Sequence, residues 1–320
     1  MLCEQRFLVA EKDRTVPSSD KRNRLTVCGL LCLCCLLPAQ GGAEQMSEAG
    51  VQESSGEQVS ALEERSRIER ETRFQPFVLT PHKPNYILPL TYNSYPNQAP
   101  FDQVEDGTLE ETEAKFQISI KIPITNELFG DSATLYAAYT NQSYWQAYND
   151  DNSRPFRETN HEPELFFAIQ NDWQWAGFTN RLIFFGISHQ SNGQSGSLSR
   201  SWNRLYADFI FERGDFYLSI KPWLRITAAD MQDDNPDIAD YMGNGEARLV
   251  YAAKKHTVSL MLRNNLQADN RGAVELNWSF PMSRRAKWFI QYFDGYGESL
   301  IDYDARVKRL GVGIALTDWL

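Results

Sequence analysis

Cysteine is missing from most of this 320-residue chain. The chain also lacks any run of about 20 apolar residues after its first segment, which excludes an internal membrane helix. This absence does not exclude a membrane β-barrel, in which only alternate strand residues face lipid. Positive charge is not in excess, since the net charge is −10, and we therefore predict no nucleic-acid partner. All five cysteines precede residue 36: Cys3, Cys28, Cys32, Cys34 and Cys35.

Residues 1–43 are typical of a signal peptide. Basic residues at positions 21, 22 and 24 precede an apolar stretch from Leu25 to Leu37, and small residues end the segment at Ala43. The leucines around the cysteines suit an export signal better than the alternative, a metal-binding or disulfide cluster. Cleavage after Ala43 would leave a protein without cysteine and without a disulfide framework.

Residues 44–83 are polar and charged. This composition predicts a mobile periplasmic extension, with a short helix near Val59 to Arg70. We see no residue in this segment that predicts chemistry.

Residues 84–320 alternate between apolar and polar side chains. Between residues 115 and 124, phenylalanine and isoleucine occupy every second position, and lysine, glutamine and serine occupy most of the others. Such alternation suits a membrane barrel with a polar interior, and it also fits a soluble sandwich. We predict an all-β fold, a twelve-stranded antiparallel transmembrane β-barrel, with strands near 85–94, 113–124, 132–146, 163–172, 177–189, 202–213, 215–227, 244–253, 255–266, 272–281, 286–296 and 306–318.

The connections between these strands alternate in length. Residues 212–215 and 253–255 make tight turns, whereas residues 147–162, 190–201 and 228–243 form long segments. Tight turns belong in the periplasm and long loops outside the cell in such barrels. This assignment predicts that the loop after residue 189 lies at the outer rim.

The stretch from His189 to Asn203 combines residues suited to acyl transfer. A serine hydroxyl is a weak nucleophile unless a base takes its proton, and a histidine near Ser191 is such a base because imidazole titrates near neutrality. Asn203 would hold the imidazole in one orientation. The spacing His-x-Ser is not specific by itself, and a polar loop with a stray histidine is the alternative.

Strand periodicity places these three side chains on one face. His189 is in step with Phe185 and Ile187, and Asn203 is in step with Leu205 and Phe209. If that face contacts lipid, a catalytic site would stand on the outer wall of the barrel.

The chain resembles the bacterial outer-membrane phospholipase A family over roughly Asn85 to Trp319. The resemblance implies Ser191 as nucleophile, His189 as base, Asn203 as its orienting residue and Gly193 as an oxyanion donor. Five segments carry the resemblance: S-H-Q-S-N-G at 188–193, S-R-S-W-N-R at 199–204, P-F-R-E-T-N at 155–160, D-D-N-P-D at 233–237 and Y-G-E-S-L-I-D-Y at 296–303.

The resemblance also implies calcium and a homodimer as the active state. The family's calcium ligands correspond to Ser199, the Gln194 carbonyl and Ser153 from a partner subunit. The family commonly has arginine at position 194 and glutamine at position 141. Asn141 shares a face with Tyr139, and the resemblance implies that it contacts the partner subunit, the alternative being a residue at the headgroup level.

Asp233, Asp234 and Asp237 form an acidic cluster. We predict an exposed loop there, because the catalytic loop lies elsewhere in the chain, and a calcium site is the alternative.

The leading hypothesis is a calcium-dependent outer-membrane phospholipase of A1/A2 type that hydrolyses phospholipids and lysophospholipids, with its active site facing the outer leaflet. A non-catalytic porin or hydrophobe channel is the alternative from a different class. A third hypothesis is a catalytically silent relative with a structural role.

Overall fold

A computed structural model describes residues 60–72, 75, 78–102, 108–125, 133–150, 156–227 and 233–319 of the chain. The predicted signal peptide, all five cysteines and Ser153 lie outside these residues.

Strands dominate the described part of the chain. Twelve are long, and two contain only two residues each. The elements are α1 (Ala61–Thr72), β1 (Thr80–Pro81), β2 (Asn85–Asn93), β3 (Thr112–Thr125), β4 (Ala133–Trp145), β5 (Glu158–Gln170), β6 (Gln174–Trp175), β7 (Phe178–Ser191), a 3-10 turn (Gly196–Leu198), β8 (Ser201–Arg213), β9 (Phe216–Ile226), α2 (Ile238–Met242), β10 (Gly245–Ala253), β11 (His256–Asn264), β12 (Gly272–Pro281), β13 (Lys287–Tyr296) and β14 (Arg306–Thr317).

The twelve long strands close into one antiparallel barrel. Each pairs with the next long strand along the chain, and β14 pairs with β2 to complete the ring. Closure removes the free sheet edges that would otherwise carry unpaired backbone groups. The predicted twelve-stranded antiparallel barrel is therefore confirmed.

Strand β5 departs most from its predicted boundary. It begins at Glu158, five residues before the predicted start at residue 163. The added residues are mostly polar and precede Pro163, a pattern that predicts a loop from local sequence alone. Their backbone pairs with β4 instead, from Glu158 opposite Tyr144 to Glu162 opposite Thr140.

The two ends of the barrel differ. We call the end that carries residues 214–215, 254–255 and 282–286 the turn end, and the end that carries 146–150, 156–157, 192–200, 233–244 and 297–305 the loop end. The loop end closes over a buried ionic network. Arg309 contacts Glu113 at 2.7 Å and Glu298 at 2.8 Å, and Arg157 contacts Glu113 and Asp302. Such buried charges are tolerated when they are mutually paired.

The two faces of the sheet separate by polarity. Inward residues such as Lys115, Ser119 and Glu164 are buried, while outward residues such as Ile118 and Phe185 are exposed. An apolar outer wall around a polar interior is the pattern of a barrel in a membrane.

No helix in the described ranges is long and apolar enough to cross a membrane.

Helix α1 begins close to the predicted start, and its contacts differ from those expected of a free extension. Leu62 packs with Tyr217 and Val250, which point into the barrel near the turn end. Arg65 donates to the Trp319 carbonyl at 2.8 Å, and Glu69 contacts Lys121 on β3 at 2.8 Å. Glu69 thus pairs with a charged group of the barrel interior, whereas Arg67 pairs with Glu64 and Glu71 on the exposed face of the helix.

Candidate active site on the outer wall

His189 and Asn203 are direct neighbours across two strands. They are opposite residues in the β7–β8 register, and Nδ1 of His189 lies 2.8 Å from Oδ1 of Asn203. Asparagine oxygen only accepts, so Nδ1 carries the proton and donates it to Asn203. In a neutral ring, Nε2 is then free to accept a proton. This arrangement is the one a general base requires.

Ser191 ends strand β7, two residues beyond His189 on the same face. It lies opposite Ser201 on β8 and opposite His161 on β5. Ser188 points to the other side and donates to Glu162 inside the barrel at 2.9 Å. His189 and Ser191 are therefore on the outer wall, as strand parity predicts.

The loop of residues 192–200 is held by the buried side chain of Asn192. Its Oδ1 accepts from the backbone N–H of Gln194 at 3.3 Å and of Arg200 at 3.0 Å. Its Nδ2 donates to the Leu198 carbonyl at 2.8 Å. Gly193 follows with a φ of +65°, a left-handed conformation that favours glycine. The backbone of Gly193 is thereby fixed beside Ser191.

The D-D-N-P-D segment docks against this loop. Ser199 Oγ donates to Asp234 Oδ2 at 2.7 Å, and the backbone N–H of Ser201 donates to the buried Asn235 side chain at 2.9 Å. Asp233 is exposed, as expected of an exposed loop, but the segment contacts the 192–200 loop, although the two are separated in the sequence. Residues 233–237 follow β9, the partner of β8 in the sheet, so separation along the sequence does not mean separation in space.

Two further contacts fix the acidic segment. Arg225 contacts Asp233 at 2.6 Å and also donates to the Asn235 and Pro236 carbonyls. Tyr303 donates to Asp237 at 2.7 Å. Burial raises the pKa of the Tyr303 phenol and the Asp237 carboxylate raises it further, so Tyr303 remains a donor.

The interior side of β7 and β8 supports the site from beneath. Arg204 contacts Glu162 at 2.7 Å, and Trp202 donates its indole N–H to Gln190 at 2.8 Å. The Trp202–Gln190 contact joins β8 to β7, and the Arg204–Glu162 contact joins β8 to β5, which supports the register that brings His189 opposite Asn203.

Sequence and structure comparisons identify the family. The sequence model of the family described as Phospholipase A1 matches residues 62–316. A phospholipase A1 of Klebsiella pneumoniae is 40% identical over 246 residues, covering 76% of this chain and 84% of the relative. The chain belongs to the phospholipase A1 family.

Solved structures agree with this family assignment. Outer membrane phospholipase A from Escherichia coli aligns with a TM-score of 0.71 and 38% identity, covering 76% of this chain and all of that one. A Salmonella typhi outer membrane phospholipase, solved as a dimer with bound calcium, aligns with a TM-score of 0.73 and 37% identity over 78% of this chain and 97% of that one.

This phospholipase A1 family member contains no group of three or more His, Cys, Asp or Glu side chains arranged to hold a metal, among the residues that the structure describes. Of the three residues predicted to bind calcium, Ser199 and Gln194 lie on the 192–200 loop, and Ser153 lies outside the described residues. Asp234 brings a further side-chain oxygen next to this loop through its contact with Ser199.

Asn141 of β4 lies on the outer wall, next to strand β5. It is opposite His161 in the β4–β5 register, and its Nδ2 is 3.5 Å from Nδ1 of His161. Its Oδ1 accepts from Ser143 Oγ at 3.0 Å. The predicted contact of Asn141 with a partner subunit stays a prediction.

Sequence reasoning missed two residues next to Ser191. Asn192 lies in the S-H-Q-S-N-G segment, and its position between Ser191 and Gly193 is the sequence feature that could have indicated its role. His161 has no such signal, because it becomes a neighbour of Ser191 only through the extended pairing of β5.

Proposed function

We propose that this chain is an outer-membrane phospholipase that hydrolyses fatty-acyl ester bonds of phospholipids and lysophospholipids with a Ser-His-Asn mechanism. The observation that carries the proposal is the 2.8 Å contact between His189 Nδ1 and Asn203 Oδ1, with Ser191 two residues further along the same outward face. Family membership and the apolar outer wall support the outer membrane as location. Acyl chains lie along that wall in a bilayer.

The proposed reaction has two halves. In the first, Ser191 Oγ attacks the ester carbonyl, His189 Nε2 takes the serine proton, and the same nitrogen then gives it to the leaving alcohol oxygen. In the second, water attacks the acyl-serine while His189 again moves the proton, releasing the fatty acid. Asn203 keeps Nδ1 protonated throughout. Being neutral, Asn203 stabilises the imidazolium less than an aspartate would.

Gly193 is the proposed oxyanion donor. The side chain of Asn192 holds the backbone on both sides of the loop, so the Gly193 N–H keeps one orientation next to Ser191. A prearranged donor of this kind stabilises the negative oxygen of the tetrahedral intermediate without reorganisation.

The loop end also offers a donor set that fits calcium. Calcium prefers oxygen ligands from carboxylates, carbonyls and water. Ser199 Oγ and Asp234 Oδ2 lie 2.7 Å apart, and the Gln194 carbonyl belongs to the same loop. We assign Ser199, the Gln194 carbonyl and Asp234 to this site, with Ser153 of a partner subunit as a further ligand. When bound, calcium would supply positive charge beside the oxyanion position.

We further propose that the active form is a homodimer whose active sites face the outer leaflet. The long loops, which include residues 192–200, gather at one end, as extracellular loops do in bacterial barrels. The dimer with calcium in the Salmonella typhi relative supports pairing. Two apolar walls side by side would form a cleft for an acyl chain beside each serine.

The experiment compares Ser191→Ala and His189→Ala with Ser201→Ala, a matched control that removes the hydroxyl opposite Ser191. Purified, detergent-folded proteins are assayed for fatty-acid release, and heat-modifiable gel migration verifies the barrel. We expect each of the first two variants to lose most activity and the control to keep it. A folded Ser191→Ala protein with near-normal turnover would exclude the mechanism.

Labelling tests the choice of nucleophile directly. A serine-reactive sulfonyl fluoride, followed by peptide mapping, should modify Ser191. Label on Ser195 or Ser201 would show that a different hydroxyl attacks.

A further inference from the structure

A row of polar side chains crosses four strands of the outer wall at the level of Ser191. The strand register places Asn141 of β4 opposite His161 of β5, His161 opposite Ser191 of β7, and Ser191 opposite Ser201 of β8. Opposite residues in an antiparallel pair have Cβ atoms about 5 Å apart on the same face. A second imidazole therefore stands next to the proposed nucleophile, on the side away from Asn203.

Hydrogen bonds fix which nitrogen of His161 accepts. Nδ1 is 2.6 Å from the Tyr139 hydroxyl and 3.5 Å from Nδ2 of Asn141. The Asn141 amide is oriented by Ser143, whose hydroxyl donates to the Asn141 oxygen at 3.0 Å. The Asn141 amide nitrogen only donates and the Tyr139 hydroxyl can donate, so we take Nδ1 as the acceptor. In the neutral ring the proton then resides on Nε2.

The protonated edge of His161 is directed at Gly193. A Cβ atom built on Gly193 would lie 3.8 Å from Cδ2 and 3.9 Å from Nε2 of the His161 ring. Gly193 is the residue whose backbone N–H is the proposed oxyanion donor. The Nε2–H of His161 therefore lies beside the residue that contains the proposed oxyanion donor.

The two imidazoles near Ser191 have opposite hydrogen-bonding states. His189 donates from Nδ1 to Asn203, which leaves Nε2 as an acceptor for the serine proton. His161 accepts at Nδ1 from Tyr139, which leaves Nε2–H as a donor. One ring is suited to act as a base, whereas the other is suited to bind a negatively charged oxygen.

We propose that His161 is a catalytic residue whose Nε2–H donates a hydrogen bond to the ester carbonyl oxygen as it becomes negative, alongside the Gly193 N–H. No proton is transferred by His161, and Tyr139 acts as a positioning residue that keeps Nε2 protonated. The inference rests on the proposed function, because it needs Ser191 as the nucleophile.

Three variants test the donor. His161→Phe keeps a ring of similar size but removes the N–H, His161→Gln keeps an amide N–H, and Tyr139→Phe removes the donor at Nδ1. His256→Phe is the matched control, because His256 also lies on the outer wall, beside Trp278 and Phe280 on β12. Heat-modifiable migration verifies each barrel.

We expect kcat to fall about tenfold or more in His161→Phe, with KM within twofold, since an oxyanion donor acts mainly in the transition state. His161→Gln should keep most of the activity, Tyr139→Phe should lie between the two, and the control should match the wild type. A kcat of His161→Phe within twofold of the wild type would overturn the proposal. Equal losses in His161→Phe and His161→Gln would do the same, because the N–H would then not matter.

A second readout separates the oxyanion role from subunit pairing. A long-chain alkylboronic acid forms a tetrahedral adduct with an active serine, and its affinity should fall in His161→Phe by about the same factor as kcat. Chemical crosslinking should yield the same dimer fraction as in the wild type. Recovery of full activity when two His161→Phe barrels are covalently linked would show that His161 acts through pairing, against the proposal.

Ser191→Ala, measured in the same assays, distinguishes failure of the His161 proposal from failure of the proposed function. An inactive Ser191→Ala protein beside a fully active His161→Phe protein overturns only the role of His161. An active Ser191→Ala protein overturns the proposed function itself, and the role of His161 with it.

Discussion

Asn192 and Arg200 exchange two hydrogen bonds and thereby close the loop between them. The backbone N–H of Asn192 donates to the Arg200 carbonyl at 3.0 Å, and the backbone N–H of Arg200 donates to Oδ1 of Asn192, also at 3.0 Å. The loop carries Gly193, Gln194 and Ser199, so one buried side chain sets the shape of the segment that contains both the proposed oxyanion donor and the proposed calcium ligands.

Replacing Asn192 with alanine should loosen the loop without unfolding the barrel. Asn192→Ala removes the acceptor for the N–H groups of Gln194 and Arg200, leaving them to bond water. We expect kcat to fall about tenfold to a hundredfold, as for misplaced oxyanion donors. Faster hydrogen exchange at residues 193–200 should accompany the loss.

The matched control for this variant is Asn265→Ala. Asn265 holds the 265–271 loop in the same manner, with its Oδ1 accepting from the backbone N–H groups of Gln267 and Arg271. Asn265→Ala should keep activity close to that of the wild type. Comparable losses in both variants would mean that general loosening of the loop end, rather than the Gly193 segment, reduces activity.

The hydrolysis rate should depend on which side chain at position 203 accepts the hydrogen bond from His189. Asn203→Ala removes the acceptor at 2.8 Å from Nδ1, so the imidazole loses its fixed orientation, and we expect kcat to fall about tenfold to a hundredfold. Asn203→Asp restores an acceptor and should keep a large share of the activity. Single-turnover acylation with a chromogenic ester measures both, and equal rates for Asn203→Ala and the wild type would contradict the orienting role.

The alternation of residues in 84–320 was sufficient to predict strands, because a period of two is a local property of the chain, and the family resemblance favoured a membrane barrel over a soluble sandwich. The same parity predicted that His189 and Asn203 share a face. The pairing of His161 with Ser191 was not predictable, because the polar start of β5 does not alternate and Pro163 interrupts it. The contact of Ser199 with Asp234 depends on how neighbouring loops fold onto each other, which no local pattern encodes.

The contacts of α1 with the barrel were likewise not predictable from local sequence. Its composition is that of a solvated helix, with acidic and basic residues throughout. The partners of two of these residues lie in the barrel interior near the turn end. Glu69 contacts Lys121, and Arg65 donates to the Trp319 carbonyl. The partners of a charged side chain are set by the tertiary structure.

Calcium dependence should be altered by Asp234→Asn. The change removes the carboxylate that contacts Ser199, so the proposed site would lose negative charge while a side-chain oxygen remains. We expect the calcium concentration for half-maximal activity to rise about tenfold, with kcat at saturating calcium close to that of the wild type. Hydrolysis measured across a calcium titration in chelator-buffered detergent tests this.

Asp269→Asn serves as the control for charge alone. Asp269 lies in another loop of the same barrel end and pairs only with Arg271 among the ion pairs of the described residues. Its removal should leave the calcium titration unchanged. An equal shift in both variants would indicate a general electrostatic effect, and no shift in Asp234→Asn would remove Asp234 from the site.

The attachment of α1 to the barrel should depend on Glu69. Its carboxylate contacts Lys121 at 2.8 Å and Arg65 at 3.0 Å, and both the Lys121 and Glu69 side chains are largely buried. Removing one partner of a buried pair leaves the other charge uncompensated, and partial exposure reduces that cost. We expect Glu69→Gln to lower the free energy of α1 attachment by about 1–2 kcal/mol, measured as faster hydrogen exchange at residues 61–72 with an unchanged melting temperature of the barrel.

The same pair predicts a dependence on pH. Burial alone would raise the pKa of Glu69, but Lys121 and Arg65 together lower it below its usual value. A carboxyl with a lowered pKa in the folded state stabilises that state above its usual pKa of about 4.3, and the contribution is lost as the pH falls through the lowered value. Attachment of α1 should therefore be constant from neutrality to about pH 5 and weaken below about pH 4. Glu71→Gln, which removes one of the two carboxylate partners of Arg67 on the exposed face of α1, is the control. Loss of the low-pH transition in Glu71→Gln but not in Glu69→Gln would contradict the assignment.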